Sequence, residues 1–339
     1  VTLLLDNDDV RAVLRMDDCI AALEAAFADL AAGDAVDRPR SHTYTDLGGG
    51  RHYLFKSMDG ALPRLGVHAL RLSSDLTYEH DRRRDKIPAA PGGRYVGLVL
   101  LFDQTSLVPL ALLHDGYLQR MRVGATSALA AAKLARPEAR VAGVVGAGWQ
   151  AGAQIEGLRA VRELAEVRVY APTRARLVAF CAEHGATPAR SARDAVRGAD
   201  VVALATNAHE PVIDGDWLEP GQHVGSVQVR ELDRRTLERA DLVVQRSRLE
   251  PTFHFRDGHR PVEAERAPEP DAAKTVTLAE VVAGRAGRRS ADEITLFTGG
   301  SAGLGTQFAA VAHVVYRAAV AAGRGRELPT EWFTQREKP

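Results

Sequence analysis

The sequence predicts an α/β protein built on a doubly wound parallel sheet, with enough chain left over for a second domain. Three observations point there. Between residues 140 and 245, short apolar strands alternate with helical stretches, the pattern of a parallel sheet with crossover helices. The first of these strands runs directly into Gly146-Ala147-Gly148 and a following helix. A length of 339 residues fills two hydrophobic cores more readily than one.

Ile20, Leu23, Ala26, Phe27 and Leu30 recur at three- and four-residue steps, which predicts a helix with cap candidates in Met16-Asp17-Asp18 and an end near Gly33. Arg51–Lys56 and Leu65–Leu72 read as strands, with Asp59-Gly60 between them as a turn signal. Residues 79–94 carry a run of charges, then Pro88, Pro91 and a glycine pair, and are expected to form an exposed, solvated loop. Tyr95–Phe102 and Val108–Leu113 are a strand pair, and the continuous apolar run from Val96 to Leu101 fits a strand buried on both faces. His114-Asp115 reads as a strand-end turn rather than an acid/base pair. Residues Gly124–Ala135 are Ala-rich and helical, stopped by Pro137. The parallel strands are expected at Arg140–Val145, Val167–Tyr170, Asp200–Ala205, His223–Val227 and Asp241–Val244, and a last long helix at Thr306–Ala322.

Composition narrows the class of function. Apolar residues are 45% and charged residues 26% of the chain, an ordinary globular mix. Lys plus Arg and Asp plus Glu are equal at 44 each, so the balance points to neither nucleic acid nor a membrane surface as partner. No apolar run approaches the roughly 20 residues that span a bilayer. Cys19 and Cys181 stand far apart with no redox or metal spacing, which suits a reducing, cytoplasmic setting. The histidines show no metal-ligand spacing, and no metal site is expected.

The glycine segment carries the most specific chemistry. Val141–Val145 leads into Gly146-Ala147-Gly148-Trp149-Gln150-Ala151, and the unit closes with a second strand ending at Tyr170. In that context the motif reads as a Rossmann dinucleotide site. Gly146 permits the tight turn, Gly148 lets the backbone approach a pyrophosphate, Ala151 allows helix and strand to pack closely, and the helix N-terminus offers free N–H groups. The second strand ends in Ala171-Pro172-Thr173-Arg174-Ala175-Arg176, without the acid that binds the ribose hydroxyls of NAD. Thr173, Arg174 and Arg176 suit a 2′-phosphate, which favours NADP(H) over NAD(H); the arginines also read as the exposed start of a helix. Thr206, just past the Asp200–Ala205 strand, completes the candidate cofactor residues.

The chain further resembles the ornithine cyclodeaminase/mu-crystallin family. The resemblance lies in Arg122 within Leu118–Ser127, in Val145–Ala151 with Gln154, and then in Pro211-Val212, Gly221–Val224, Arg230–Asp233 and Ile294–Phe297, all in order. It implies a homodimer of two-domain chains: residues 1–122 with 306–339 as an α+β substrate and dimerisation domain, and residues 123–305 as a Rossmann domain inserted into it. It also implies interconversion of amino acids and imines with a bound nicotinamide. The positions matching the family's carboxylate-binding residues are Arg40 (or Arg38), His68 and Arg122.

Four departures from the family pattern bear on the substrate. His68 stands where the family has lysine; it holds an anion only when protonated, and a lone strand histidine is equally read as structural. Lys56 aligns, within a one-residue slip, with the glutamate that receives the distal amine of ornithine. Residues 224–230 run about five residues short of the cyclodeaminase loop, and the aspartate that assists cyclisation has no counterpart. After Ile294–Phe297 the family's Lys-Ser-Val-Gly is replaced by Thr298–Gly305, where Ser301 is a candidate donor to a ligand. Together these changes remove acids and add a cation, so the expected substrate is a small anionic keto or imino acid, with His68 or Lys56 as proton donor. A cyclodeaminase using bound NAD, with Glu231 or Asp233 as the missing acid, and a non-catalytic NADP(H) binder are the rival readings. Assayed with ornithine and either NAD or NADP, the protein is expected to form no proline; robust proline formation would restore the cyclodeaminase reading.

Overall fold

In the computed structural model, which describes residues 1–80, 83–248, 253–255, 261–262, 270–299 and 303–337, the chain forms two compact units. One comprises Val1–Arg122, Leu249–Glu265 and Ala302–Pro339, and the other Val123–Arg248 and Arg266–Ser301. The segment Leu249–Glu265 thus falls in the first unit, although its place in the sequence suggested the second.

The first unit opens with strand β1 (Thr2–Leu5) and helix α1 (Asn7–Val13). Asp6 caps α1 by accepting from the amides of Asp8 and Asp9, and Asp9 returns a bond to the Asp6 amide. Helix α2 (Met16–Ala32) ends at Gly33 in the left-handed region, as its position predicts. Its N-cap is Arg15 without a side-chain bond, so Asp17 and Asp18 lie in the first turn and act on the helix dipole rather than as caps.

Strands β2 (Val36–Asp37), β3 (Ser41–Asp46), β4 (Arg51–Leu62), β5 (Val67–His80), β6 (Arg83–Ile87), β7 (Val96–Asp103) and β8 (Pro109–His114) follow. Two of these elements differ from the sequence-based expectation. Asp59-Gly60 is not a turn but lies inside β4, paired with Leu70 and Ala69, and the chain reverses at Pro63–Gly66. The charge run at 79–94 is not a loop throughout: β5 extends to His80, and β6 pairs back onto it from Leu76↔Ile87 to His80↔Arg83. Long alternating strands carry charged residues comfortably when one face meets water, which a count of charges does not register.

Helix α3 (Asp115–Leu134) begins nine residues before the Ala-rich stretch that announced it. Asn7 Oδ1 accepts from the Tyr117 amide and His114 Nδ1 from the Gly116 amide, so His114 and Asp115 open a helix rather than a turn.

The second unit holds the parallel sheet: β9 (Val141–Val145), α4 (Trp149–Val161), β10 (Glu166–Tyr170), α5 (Arg174–His184), β11 (Thr187–Pro188), α6 (Ala192–Val196), β12 (Val201–Leu204), β13 (His223–Ser226), α7 (Arg234–Arg239) and β14 (Leu242–Gln245). The chain returns to the first unit for β15 (Phe253–Phe255) and β16 (Pro261–Val262). It then adds β17 (Thr275–Thr277), α8 (Leu278–Val282) and β18 (Thr295–Thr298) to the second, and ends in the first with α9 (Gly305–Ala322) and β19 (Arg326–Leu328).

The second unit's sheet has the order β11-β10-β9-β12-β13-β18-β14-β17, and every described pair in it is parallel. One side of it packs around Ala142, Val144, Ile155, Val169 and Phe180, the other around Val145, Val202, Leu204, Val224 and Leu296. In the first unit the sheet runs β16-β15-β3-β4-β5-β7-β8-β1-β19, with β2 on β4 and β6 on β5. Among the described residues no helix is long and apolar enough to cross a membrane.

The first unit's sheet has two unlike faces. On the inner face, residues such as Leu54, Met58, Val67, Ala69, Val99, Leu101 and Leu113 are fully buried. On the outer face, Phe55, Leu70, Leu72, Leu98 and Leu100 are half-buried. Helix α9 meets the inner face so closely that backbone touches backbone. A Cβ on Gly60 would lie 2.3 Å from the Thr306 nitrogen, and one on Gly305 would lie 2.0 Å from the Asp59 carbonyl oxygen. Asp37 fixes this helix start, accepting from the Thr306 amide and hydroxyl at 3.0 and 2.6 Å. Burial pushes the Asp37 carboxyl up to about 6, although both bonds from Thr306 favour its charged form. Replacing Gly60 by Ala is therefore expected to cost about 1–3 kcal/mol of stability through overpacking, read as a lower urea midpoint. An unchanged midpoint would mean that α9 slides away from β4 without cost.

Candidate active site

Each unit carries one chemically distinctive constellation. In the second unit it is the turn from β9 into α4. Gly146 has φ +123°, and a Cβ there would sit 2.2 Å from the Ala205 carbonyl oxygen, so only glycine lets β9 turn against β12. Gly148 is the N-cap of α4 and offers no side chain to the helix amides. A Cβ on it would meet only the tip of Arg176, at 3.4 Å, which leaves open space where a pyrophosphate would approach. Ala151 is fully buried behind the turn. Ala147 is also buried, whereas Trp149 is 53% exposed at the first position of α4 and Gln150 is half-buried beside it. These features fit a dinucleotide.

Thr173 is the N-cap of α5 without a side-chain bond of its own, and Arg174 follows it, both exposed. Arg176 has a different role from its neighbours: its Nε donates to the Ala147 carbonyl at 2.9 Å and ties the start of α5 to the glycine turn. Thr206 is engaged by Glu231, which takes its amide at 2.5 Å and its hydroxyl at 2.9 Å. The other oxygen of Glu231 accepts from Ser226 Oγ and the Gln228 amide, both at 2.9 Å. A fully buried carboxylate thus clasps the chain beyond β12 to the chain beyond β13. Asp233 is occupied in the same way, capping α7 through the Thr236 amide and accepting from the Gly215 amide.

In the first unit the constellation lies on the inner face of the sheet. Opposed residues on antiparallel strands share a face, so the pairs Lys56↔Ser73, Met58↔Arg71, Leu54↔Asp75 and His42↔Lys56 gather His42, Lys56, Arg71, Ser73 and Asp75 on one side. Arg71 is buried and donates from Nε and Nη2 to Asp115 Oδ2 at 2.8 and 2.6 Å. Gly97 makes room for that carboxylate, since a Cβ there would overlap it at 2.0 Å. The guanidinium of Arg122 lies 5.0 Å from the Phe308 ring centroid and that of Arg71 5.5 Å, so one aromatic ring serves two cations. Arg122 also donates to Gln119 Oε1 and Gln307 Oε1, and Gly303 leaves space for its fork.

Lys56 Nζ lies 3.1 Å from Asp75 Oδ2, and Lys86 Nζ lies 2.7 Å from Asp75 Oδ1. Burial, then the charge of Lys86, lowers Lys56 to about 8, with Arg40 adding in the same direction and Asp75 opposing. Burial alone would raise Asp75, but the two lysines hold its carboxyl below the usual range.

The structure does not bring His68 to this cluster. His68 pairs with Ala61, on the outer face, where its Nε2 lies 3.2 Å from Asp59 Oδ2 and its side chain is 41% exposed. Arg38 also bonds Asp59, so of the two arginines weighed from the sequence it is Arg40 that lies near Lys56. Ser301 lies outside the described residues. Arg71 was missed from sequence, although a signal was present: alternation puts it in register with Val67 and Ala69, and a charge in a buried register needs a reason. His114 and Asp115 do not work as a pair, since Asp115 turns to Arg71 and His114 to the Gly116 amide. Among the described residues no group of three or more His, Cys, Asp or Glu could hold a metal ion.

With this geometry in view the comparisons decide the family. A model of the ornithine cyclodeaminase/mu-crystallin family matches residues 1–323. The chain belongs to that family. Alanine dehydrogenase of Archaeoglobus fulgidus is 29% identical over 337 residues, covering 96% of this chain and 98% of that one. Among solved structures, Delta(1)-pyrroline-2-carboxylate reductase of Thermococcus litoralis, in complex with NADH and L-proline, is similar with a TM-score of 0.75 and 26% identity, over 96% of this chain and 100% of that one. An archaeal alanine dehydrogenase dimer with bound NAD has a TM-score of 0.75 and 26% identity, over 97% and 99% of the two chains. The parallel sheet with its glycine turn is accordingly a Rossmann domain.

Proposed function

We propose that this family member reduces, or in reverse forms, the C=N or C=O bond of a small anionic imino or keto acid, with NADP(H) as the favoured coenzyme. The chain is an NAD(P)-dependent oxidoreductase of the ornithine cyclodeaminase/mu-crystallin type, as its family and relatives indicate. The observation that carries the narrower reading is the pairing of Arg71, on the same sheet face as Lys56, with Arg122 around the Phe308 ring. The Arg122 fork, oriented by Gln119 and Gln307, suits a carboxylate, which a guanidinium meets in a bidentate way, while Arg71, already paired with Asp115, shares the ring beside it. Lys56, poised near pH 8, holds a proton for the nitrogen or oxygen next to that carboxylate; general acid help of this kind is typically worth about 10²–10⁴ in rate. A dinucleotide whose pyrophosphate is held at the glycine turn would bring the nicotinamide that supplies or accepts the hydride.

The cyclodeaminase alternative needs an acid in place of the missing aspartate that assists cyclisation. Of the two candidates, Glu231 is saturated by four hydrogen bonds within the second unit, and Asp233 is engaged there as the cap of α7 and by the Gly215 amide. This favours net oxidation or reduction over cyclisation.

For the coenzyme, Thr173 and Arg174 are the groups offered to a 2′-phosphate, while Arg176 braces the turn. Purified protein is expected to oxidise NADPH when given small imino or keto acids. Arg174→Ala should weaken NADPH binding about 10–100-fold, the worth of one charge-assisted bond, and leave NADH binding unchanged; quenching of Trp149 fluorescence reads both. Equal losses for the two coenzymes would assign Arg174 to the shared pyrophosphate instead, and no turnover with any such acid would favour the non-catalytic binder.

The chain is further proposed to be a homodimer, joined through the outer face of the first unit's sheet. That face leaves Tyr53 and Val96 38% and 39% exposed beside half-buried Phe55, Leu70, Leu72, Leu98 and Leu100, more apolar surface than a lone sheet face carries without a partner. Sedimentation is expected to give a dimer, and Leu72→Lys a monomer.

A further inference from the structure

The hairpin of β5 and β6 brings a second lysine to the same carboxylate that holds Lys56. Asp75 is 2% exposed and Lys56 14%, whereas Lys86, bonded to the other oxygen of Asp75, is 44% exposed. A buried lysine facing a carboxylate of its own would form a closed ion pair, and such a lysine surrenders its proton poorly. Here the carboxylate is divided between two ammonium groups, one of which reaches solvent. Ser73 Oγ donates to the oxygen that faces Lys56, at 3.1 Å, and weakens its hold further. The remaining charged groups around Lys56 are Arg40, and Arg71 in its pair with Asp115, while His42 lies opposite on β3. Among the described residues only Lys86 competes with Lys56 for Asp75 through an ion pair.

We propose that Lys86 is a positioning residue for the reaction: by sharing Asp75 it keeps Lys56 from being locked into a permanent ion pair, so that Lys56 can pass its proton to the substrate nitrogen or oxygen. The proposal rests on the reading of Lys56 as proton donor. It gives a purpose to a hairpin whose charges look from sequence like a solvated surface, and it separates the two lysines by role, since Lys86 touches no reacting atom.

The direction of the effect follows from charge. Removing the Lys86 cation takes away repulsion and frees Asp75 for Lys56, so Lys56 should lose its proton at higher pH. Two variants test this, Lys86→Gln, which removes the charge, and Lys86→Arg, which keeps it. The probe is acetic anhydride, applied in trace amounts across a pH series, with the acylation of Lys56 read by mass spectrometry. In Lys86→Gln the Lys56 titration is expected to move up by about 0.5 pH unit or more, and in Lys86→Arg to stay at the wild-type value. The fall of kcat/KM for reduction at alkaline pH should move by the same amount, with KM for NADPH unchanged. A Lys56 titration that stays in place in Lys86→Gln, or moves equally in Lys86→Arg, would overturn the proposal. An alkaline limb that survives intact in Lys56→Met would overturn the assignment of Lys56 itself, and the acylation series tells these two failures apart.

Discussion

The backbone contact between β4 and the start of α9 governs the first unit. Gly60 and Gly305 have no side chains because the two segments touch main chain to main chain, and Asp37 pins the contact by holding both polar groups of Thr306. Its consequence lies within one helical turn. Gln307 and Phe308 come next along α9, and they are the residues that meet Arg122 and Arg71. Positions three and four along a helix are set by its first turn, so the close approach of two glycines determines where two guanidinium groups stand. A bulkier residue at either glycine would move the aromatic ring that both arginines share.

Charge placed on a buried sheet face has to be compensated, and the first unit does this by pairing. Arg71 takes Asp115 from the start of α3, and Lys56 and Lys86 divide Asp75. These pairs are retained although a buried ion pair is weak evidence of stabilisation, because the cost of desolvation rivals the Coulomb gain. Their value is positional: each keeps a cation on the inner face of the sheet.

In the second unit the same logic works through a single acid. Glu231 gathers Thr206, Ser226 and Gln228. It thereby fixes the chain just beyond the carboxyl ends of β12 and β13, the edge of an open parallel sheet at which ligands bind. Arg176 does the corresponding work at the glycine turn, through the Ala147 carbonyl.

The sequence by itself determined the Rossmann domain, since strand period, helix period and the glycine turn are local properties that agree with one another over residues 140–245. It also determined the family, through motifs spread in order along the chain, and the two helices that end at Gly33 and near Ala322. What it left undecided depended on partners distant in the chain. Asp59-Gly60 has the composition of a turn, and only the presence of α9 shows that the glycine is there for close approach. His68 and Arg71 are three residues apart on one strand, and strand alternation puts them on opposite faces, but which face is the inner one is set by α9 packing across β4 and β5. Lys56 and Lys86 are thirty residues apart and become neighbours because a charged segment folds back as a hairpin onto Asp75. Local patterning fixes the elements, whereas the face on which a charge is buried, and the charge it meets there, are decided by tertiary packing.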